Sequence, residues 1–330
     1  MAVLYVTEQG ATLRRKGRRI IVEKDDEVIS DIPGFKLEQV VVYGNVSFTV
    51  PILEYLLKED VGVSFLSMRG RLKGHLWPAF SNHGILRRAQ FRASEDACRC
   101  LELSKSFVRG KVHNQRILLQ RHRRRRGVAA LDAPIGTLKE CLGELYRLGT
   151  LDEVRGLEGR ASAVYFSGLR ELLPEGFAFP CRSRRPPRDA VNALLSLGYS
   201  MLMNNVWAAL ETTGLDPYQG FLHGDRYGRP SLALDMMEEW RPELVDSLVL
   251  ACLNRGMFGP QDFREEGGAV LLGEEALKRF VTQYNQRLFG EFLHPDRDAP
   301  VSHLLGLQLQ ARRLVRDLQG GSPYRPYLSR

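Results

Sequence analysis

ILRRAQFRASEDACRCLELSKSFVRGKVHNQRILLQRHRRR, residues 85–125, decides how the chain divides. Apolar and basic positions recur along it with a period of 3.6, the pattern of an amphipathic helix. It reads as one long helix or as two joined near Gly110, where the least helix-favouring residue falls. Upstream the period is two. AVLYVTE (2–8) is a short apolar run, and ATLRRKGRRIIVEKD (11–25) has two arms around Gly17, a hairpin pattern. EQVVVYG (38–44), VGVSFLS (61–67) and GRLKGHL (70–76) read as further strands, while PILEYLLKED (51–60) has the spacing of a helix opened by Pro51.

Downstream the pattern stays helical. Residues 127–135, GVAALDAPI, read as a linker, followed by helices over 135–149, 151–173, 190–214, 241–258 and 301–319, with a β-turn feature at Glu265–Gly268 before another helix. Asp189 is a fair N-cap for the helix from 190, and GGSPYRPYLSR (320–330) reads as a loose tail. The expectation is an α+β chain of two domains. Residues 1–83 form a β-rich, β-sandwich-like N-terminal domain, and residues 84–330 a larger all-α C-terminal domain.

Composition narrows the function. The 330 residues carry 47 Lys and Arg against 39 Asp and Glu, a net charge of +8 and a pI near 9.3. Such a balance favours a polyanionic partner without saying anything about fold. No apolar run is long enough to span a bilayer and no signal peptide stands out, so a cytoplasmic protein is expected. Cys98, Cys100, Cys141, Cys181 and Cys252 are odd in number with no CxxC pair, which argues against both a disulfide framework and a zinc ribbon.

Chemistry concentrates in HGDRYGRPSLALDMMEEWRP (223–242) and GLEGRASAVYF (156–166). His223 offers a ring nitrogen, Asp235 and Glu238 stand three apart at helical spacing, and Glu158 adds a carboxylate from an earlier helix. Such a donor set suits Mg²⁺ or Mn²⁺ better than structural zinc. The plainer alternative makes Asp235 the opening of a helix, Glu238 solvated and His223 a loop residue. Tyr165, two turns beyond Glu158 on the same face, is a core residue or a contact at the site. His75, His83, His113, His122, His294 and His303 have no carboxylate partner at ligand spacing. Arg182, Arg184, Arg185 and Arg188 cluster around Pro186 and Pro187 in a stiff loop, a candidate phosphate-binding element. The run Arg121–Arg126 reads first as a solvated face and second as a phosphate contact.

These blocks, with RSRRPPRDAVNALLSLGYSML (182–202) and VVVYGNVSFTVPILEYLLKEDVGVSFLS (40–67), resemble the CRISPR-associated adaptation integrases, the Cas-one proteins, in one order over nearly the whole chain. The resemblance implies an N-terminal β-domain that pairs two subunits, a helical catalytic domain and a metal site of Glu158, His223 and Asp235 holding Mg²⁺ or Mn²⁺. Glu238 stands where some members carry a second Asp and is at most an auxiliary ligand. The implied activity is that of a metal-dependent DNA endonuclease and integrase, inserting short DNA fragments into the CRISPR array by attack of a 3′-hydroxyl on a phosphodiester. The implied partners are DNA, a second copy of the chain and a Cas-two dimer. A stand-alone metal-dependent nuclease that never joins strands, or a DNA-binding scaffold without activity, are the alternatives.

Overall fold

The computed structural model describes residues 2–67, 72–77, 84–183, 186–224 and 226–330. The chain divides into two compact units, one of residues 1–82 with 277–285, the other of 83–276 with 286–330.

The first unit holds β1 (Ala2–Val6), β2 (Thr12–Lys16), β3 (Arg19–Lys24), β4 (Glu27–Pro33), β5 (Leu37–Tyr43), β6 (Ser47–Phe48), α1 (Val50–Lys58), β7 (Gly62–Leu66) and β8 (Leu72–Leu76). They make two four-stranded sheets, ordered β1-β5-β7-β8 and β4-β3-β2-β6. In the first, β1, β5 and β7 run parallel and β8 returns antiparallel. Val40, Val42 and Val63 of that sheet, Leu13, Ile20 and Val22 of the other, and Ile52 and Leu56 of α1 share one core, the sandwich-like arrangement expected. Each such side chain removed from water contributes about 1.5–3 kcal/mol. The β2–β3 hairpin turns at Gly17, φ +62°, as its sequence predicts. Strand β4 was not legible, because Val28 and Ile29 remain about half exposed and the alternation that marks a half-buried strand is missing.

The second unit begins with α2 (Gly84–Glu95) and α3 (Ala97–Arg126). The break between them lies at Asp96, not at Gly110. The Asp96 carboxylate caps α3 by accepting the N–H groups of Cys98 and Arg99, at 2.9 and 3.2 Å. Gly110 lies inside α3 for a packing reason: a Cβ there would come within 2.9 Å of Glu239 and Pro326. Then follow α4 (Asp132–Leu145), which absorbs part of the expected linker, α5 (Leu151–Arg170) and α6 (Ala190–Thr213), with Asp189 accepting from Asn192 N as its N-cap. Next are α7 (Ser231–Met237) and α8 (Ser247–Asn254), joined through a wide π-helical turn, Arg241–Asp246, which begins beside Pro242. The unit is not purely α. Short antiparallel ladders join β9 (Phe263–Glu266) to β10 (Ala269–Leu272) and β11 (Glu291–Phe292) to β12 (Val301–Ser302), and α10 (His303–Leu318) follows; between the ladders in sequence comes α9 (Glu274–Phe289), whose residues 277–285 belong to the first unit.

The tail is not loose. Tyr327 stacks on Trp240 with ring centroids 4.4 Å apart and planes 3° from parallel, and Tyr324 and Tyr327 are buried. Glu239 accepts from Tyr324 Oη at 3.0 Å and Tyr327 N at 2.9 Å, while Asn114 of α3 exchanges hydrogen bonds with Tyr327 O and Ser329 N. The sequence suggested a loose terminus, but two tyrosines and a row of backbone groups meet partners on α3 and after α7, and that burial outweighs the ordering entropy. Among the described residues no helix is long and apolar enough to cross a membrane.

Candidate metal centre

His223 sits in a loop between α6 and α7 that Asp235 gathers from below. Asp235 has no exposed surface; its Oδ2 accepts Phe221 N at 2.6 Å and Leu222 N at 3.0 Å. Its Oδ1 accepts His223 N at 2.9 Å and lies 2.6 Å from His223 Nδ1. Because a carboxylate in that position only accepts, Nδ1 carries the hydrogen, and in the neutral ring Nε2 is the nitrogen that keeps a lone pair for another group. Gly220 permits this closeness: a Cβ there would stand 2.8 Å from Asp235 Oδ2. The carbonyls of the loop are held from outside, Leu222 O by Arg155 Nε at 2.9 Å and Gly224 O by Arg229 and by Ser231 Oγ at 3.2 Å. A loop with its N–H groups on a carboxylate and its C=O groups on cations and a hydroxyl fixes the imidazole it carries.

Glu158 of α5 and Glu238, one residue beyond α7, converge on one cation. Lys111 Nζ contacts Glu158 Oε1 and lies 2.8 Å from Glu238 Oε2, although all three residues come from different helical segments. Arg241 Nη2 meets the other oxygen of Glu238 at 3.1 Å, and its guanidinium stacks on Tyr199 at 4.7 Å. Burial pushes the Glu238 carboxyl up, but Arg241 and Lys111 pull it further down, to about 2. At Glu158 burial also acts upward and is outweighed, chiefly by Lys111, so this carboxyl too falls below its ordinary value. Both are therefore held as anions.

The donor chemistry fits a hard divalent ion: two carboxylates, plus an imidazole whose second nitrogen is free because the first is fixed. Glu238 Oε2 is buried and takes no hydrogen bond of ordinary direction; it meets Lys111 only as an ion pair. Among the described residues no three His, Cys, Asp or Glu side chains stand close enough to hold an ion as they are. Asp235, expected as a ligand, has both oxygens committed to the loop, and an ammonium stands between the other two carboxylates. Glu158 and His223 line a cavity of about 490 Å³ together with Arg155, Leu222, Gly224, Arg226 and Arg229.

A family model for the CRISPR associated protein Cas1 matches residues 4–286. The chain belongs to this Cas-one family. It is 40% identical to a CRISPR-associated endonuclease Cas1 of Thermus thermophilus over 99% of this chain and 95% of that protein. Its fold is similar to the Cas1 protein of Thermotoga maritima, with a TM-score of 0.84 and 26% identity over 99% of this chain and 100% of the other. It is also similar to a chain of a Cas6-RT-Cas1–Cas2 complex, TM-score 0.84 and 25% identity, covering 100% of this chain and 36% of the longer one.

Within this Cas1 fold the basic residues separate into two groups. Arg182 is turned inward: it donates to Ser183 O, to Asn192 Oδ1 at 2.7 Å and to Ser196 Oγ at 3.0 Å, and lies over Tyr199 at 5.3 Å. It organises the loop and the start of α6. Arg188 is exposed, and Arg184 and Arg185 lie outside the described residues. In the run at the end of α3, Arg123 pairs with Asp132, Arg126 donates to Leu172 O and Asn254 Oδ1, and Arg121 holds Arg330 O and Glu243. Those three join helices and tail, while Arg124 and Arg125 are exposed. Tyr165 is a core residue; its hydroxyl donates to Asp246 at 2.7 Å, and Tyr199 Oη donates to the other oxygen at 2.5 Å. The sequence reading missed Arg155, Arg226, Arg229, Arg241 and Lys111. Lys111 left a signal: it falls on the same helical stripe as Phe107, Val108, Gln115 and Leu118, all buried.

Proposed function

We propose that this protein is a metal-dependent DNA nuclease and integrase of CRISPR adaptation, with Mg²⁺ or Mn²⁺ held by Glu158, Glu238 and His223 Nε2. The observation that carries the reading is the convergence of Glu158 and Glu238, from separate helical segments, on one buried cation beside an imidazole locked by Asp235. This reading moves Asp235 from ligand to the group that sets the tautomer and aim of His223, and makes Glu238 a principal ligand. Family membership and the Cas1–Cas2 assembly that contains a similar chain support the setting.

A bound divalent ion would act as a Lewis acid on the phosphoryl oxygen and stabilise the leaving oxygen. The chain's own groups do the rest. Arg155, Arg226 and Arg229 give the cavity a cationic wall that draws a phosphodiester against Glu158 and His223. A 3′-oxygen of the incoming fragment then bonds to phosphorus as the ester bond to the array's own 3′-oxygen breaks. One ester bond replaces another, and the proton lost by the attacking hydroxyl is balanced by one taken up by the leaving oxygen. Water in the hydroxyl's place gives a nick. A second copy of the chain supplies a second such centre, as insertion of both fragment ends requires, and a Cas-two dimer is the expected bridge.

The test incubates the protein and its Cas-two partner with a labelled DNA fragment, a supercoiled repeat plasmid and Mg²⁺ or Mn²⁺. Label carried into the plasmid demonstrates joining. Nicks without label, unchanged by the partner, would replace this reading with that of a stand-alone nuclease.

A further inference from the structure

Lys111 is a cation where a solvated lysine has no reason to be. It projects from the buried face of α3, its side chain is 3% exposed, and its Nζ bridges Glu158 and Glu238. Two carboxylates brought to one point repel each other, and Glu238, itself 3% exposed, is too buried for water to screen it. The two cations at this point differ in kind. Arg241 is flat, stacked on Tyr199 and bonded to the far oxygen of Glu238, a fixture of the core. Lys111 presents a compact charge at the end of a flexible four-carbon stem, and it touches the oxygens that would face an ion.

We propose that Lys111 is a resident counter-cation: it takes the divalent ion's place between Glu158 and Glu238 when the ion is absent, and is displaced when the ion binds. Metal loading is then an exchange of one cation for another. The centre stays assembled without metal, because the ammonium prevents the two carboxylates from driving their helices apart. The metal's apparent affinity is correspondingly reduced by the ammonium it must move. This inference rests on Glu158 and Glu238 being ligands.

The experiment titrates the metal-stripped full-length protein with Mn²⁺ by calorimetry and follows thermal unfolding with and without Mn²⁺. Lys111→Met, and Lys111→Gln as a polar alternative should the first not fold, should bind Mn²⁺ about tenfold more tightly than the unaltered protein. They should unfold earlier without metal and recover most of that loss with it. In parallel, lysine acetylation of the unaltered protein, read by mass spectrometry, should label Lys111 several-fold more in Mn²⁺ than in chelator. Unchanged or weaker Mn²⁺ binding in the variants, or equal labelling in both conditions, would make Lys111 a permanent structural ion pair and overturn the inference. Glu158→Gln separates the two levels. If it loses Mn²⁺ while the Lys111 results fail, only the exchange is wrong; if it binds Mn²⁺ as the unaltered protein does, the ligand assignment falls and the exchange with it.

Discussion

Asp235 Oδ1 lies 2.6 Å from His223 Nδ1, while the two oxygens of the same carboxylate accept the N–H groups of Phe221, Leu222 and His223. A single side chain therefore sets both the backbone of the loop and the tautomer of the imidazole. Asp235→Asn keeps the size but turns an N–H₂ toward N–H donors. Activity should fall about 10–100-fold, and hydrogen exchange at Phe221, Leu222 and His223 should accelerate. Glu238→Gln should abolish metal-dependent cleavage with those amides still protected. Unaltered exchange in Asp235→Asn would refute its organising role.

The arginines should separate by experiment as they do in space. Arg182→Ala removes the hydrogen bonds to Ser183 O, Asn192 Oδ1 and Ser196 Oγ and the contact with Tyr199, so it should destabilise the fold by about 1–3 kcal/mol. Its salt dependence of DNA binding should be unchanged. Arg226→Ala should do the opposite, leaving the melting temperature alone and flattening log K against log salt by about 0.9 if one duplex phosphate contact is lost. An unchanged slope in Arg226→Ala would remove it from the DNA surface.

Tyr327 should be worth more than a tail residue ordinarily is. Its ring stacks on Trp240, and its backbone N–H satisfies buried Glu239. Tyr327→Ala should cost about 3 kcal/mol in urea unfolding, as core aromatic truncations do. A loss under 0.5 kcal/mol would return the segment to the loose tail its composition suggests.

Asp246 provides a pH test at a buried carboxyl that is not itself a proposed ligand. Burial raises its carboxyl to about 6, against the downward pull of the Tyr199 and Tyr165 hydrogen bonds. A raised folded-state value means that the native state binds the proton more tightly. The associated stability is fully present below the unfolded value of about 3.9 and is lost as pH rises through 6. Relative to Asp246→Asn, the unaltered protein should lose up to about 3 kcal/mol between pH 4 and pH 7. Parallel stability curves for the two proteins would contradict the assignment.

The sequence by itself determined the change of period near residue 84, the β-rich and helical halves, the α6 cap at Asp189 and the stretches that bear Glu158 and His223. These are local properties: side-chain alternation, caps and turn residues act within a few positions of themselves. The division of labour between Asp235 and Glu238 was not local. Both share a helical face in sequence, but which of them is consumed by backbone N–H groups depends on how closely the loop at Gly220 approaches α7. Lys111 is separated from Glu158 by 47 positions, and its role exists only where three helical segments meet. The tail shows the same limit. Its residues look disordered alone, and they become core because Trp240, Glu239 and Asn114 happen to face them, a match of surfaces that only tertiary packing creates.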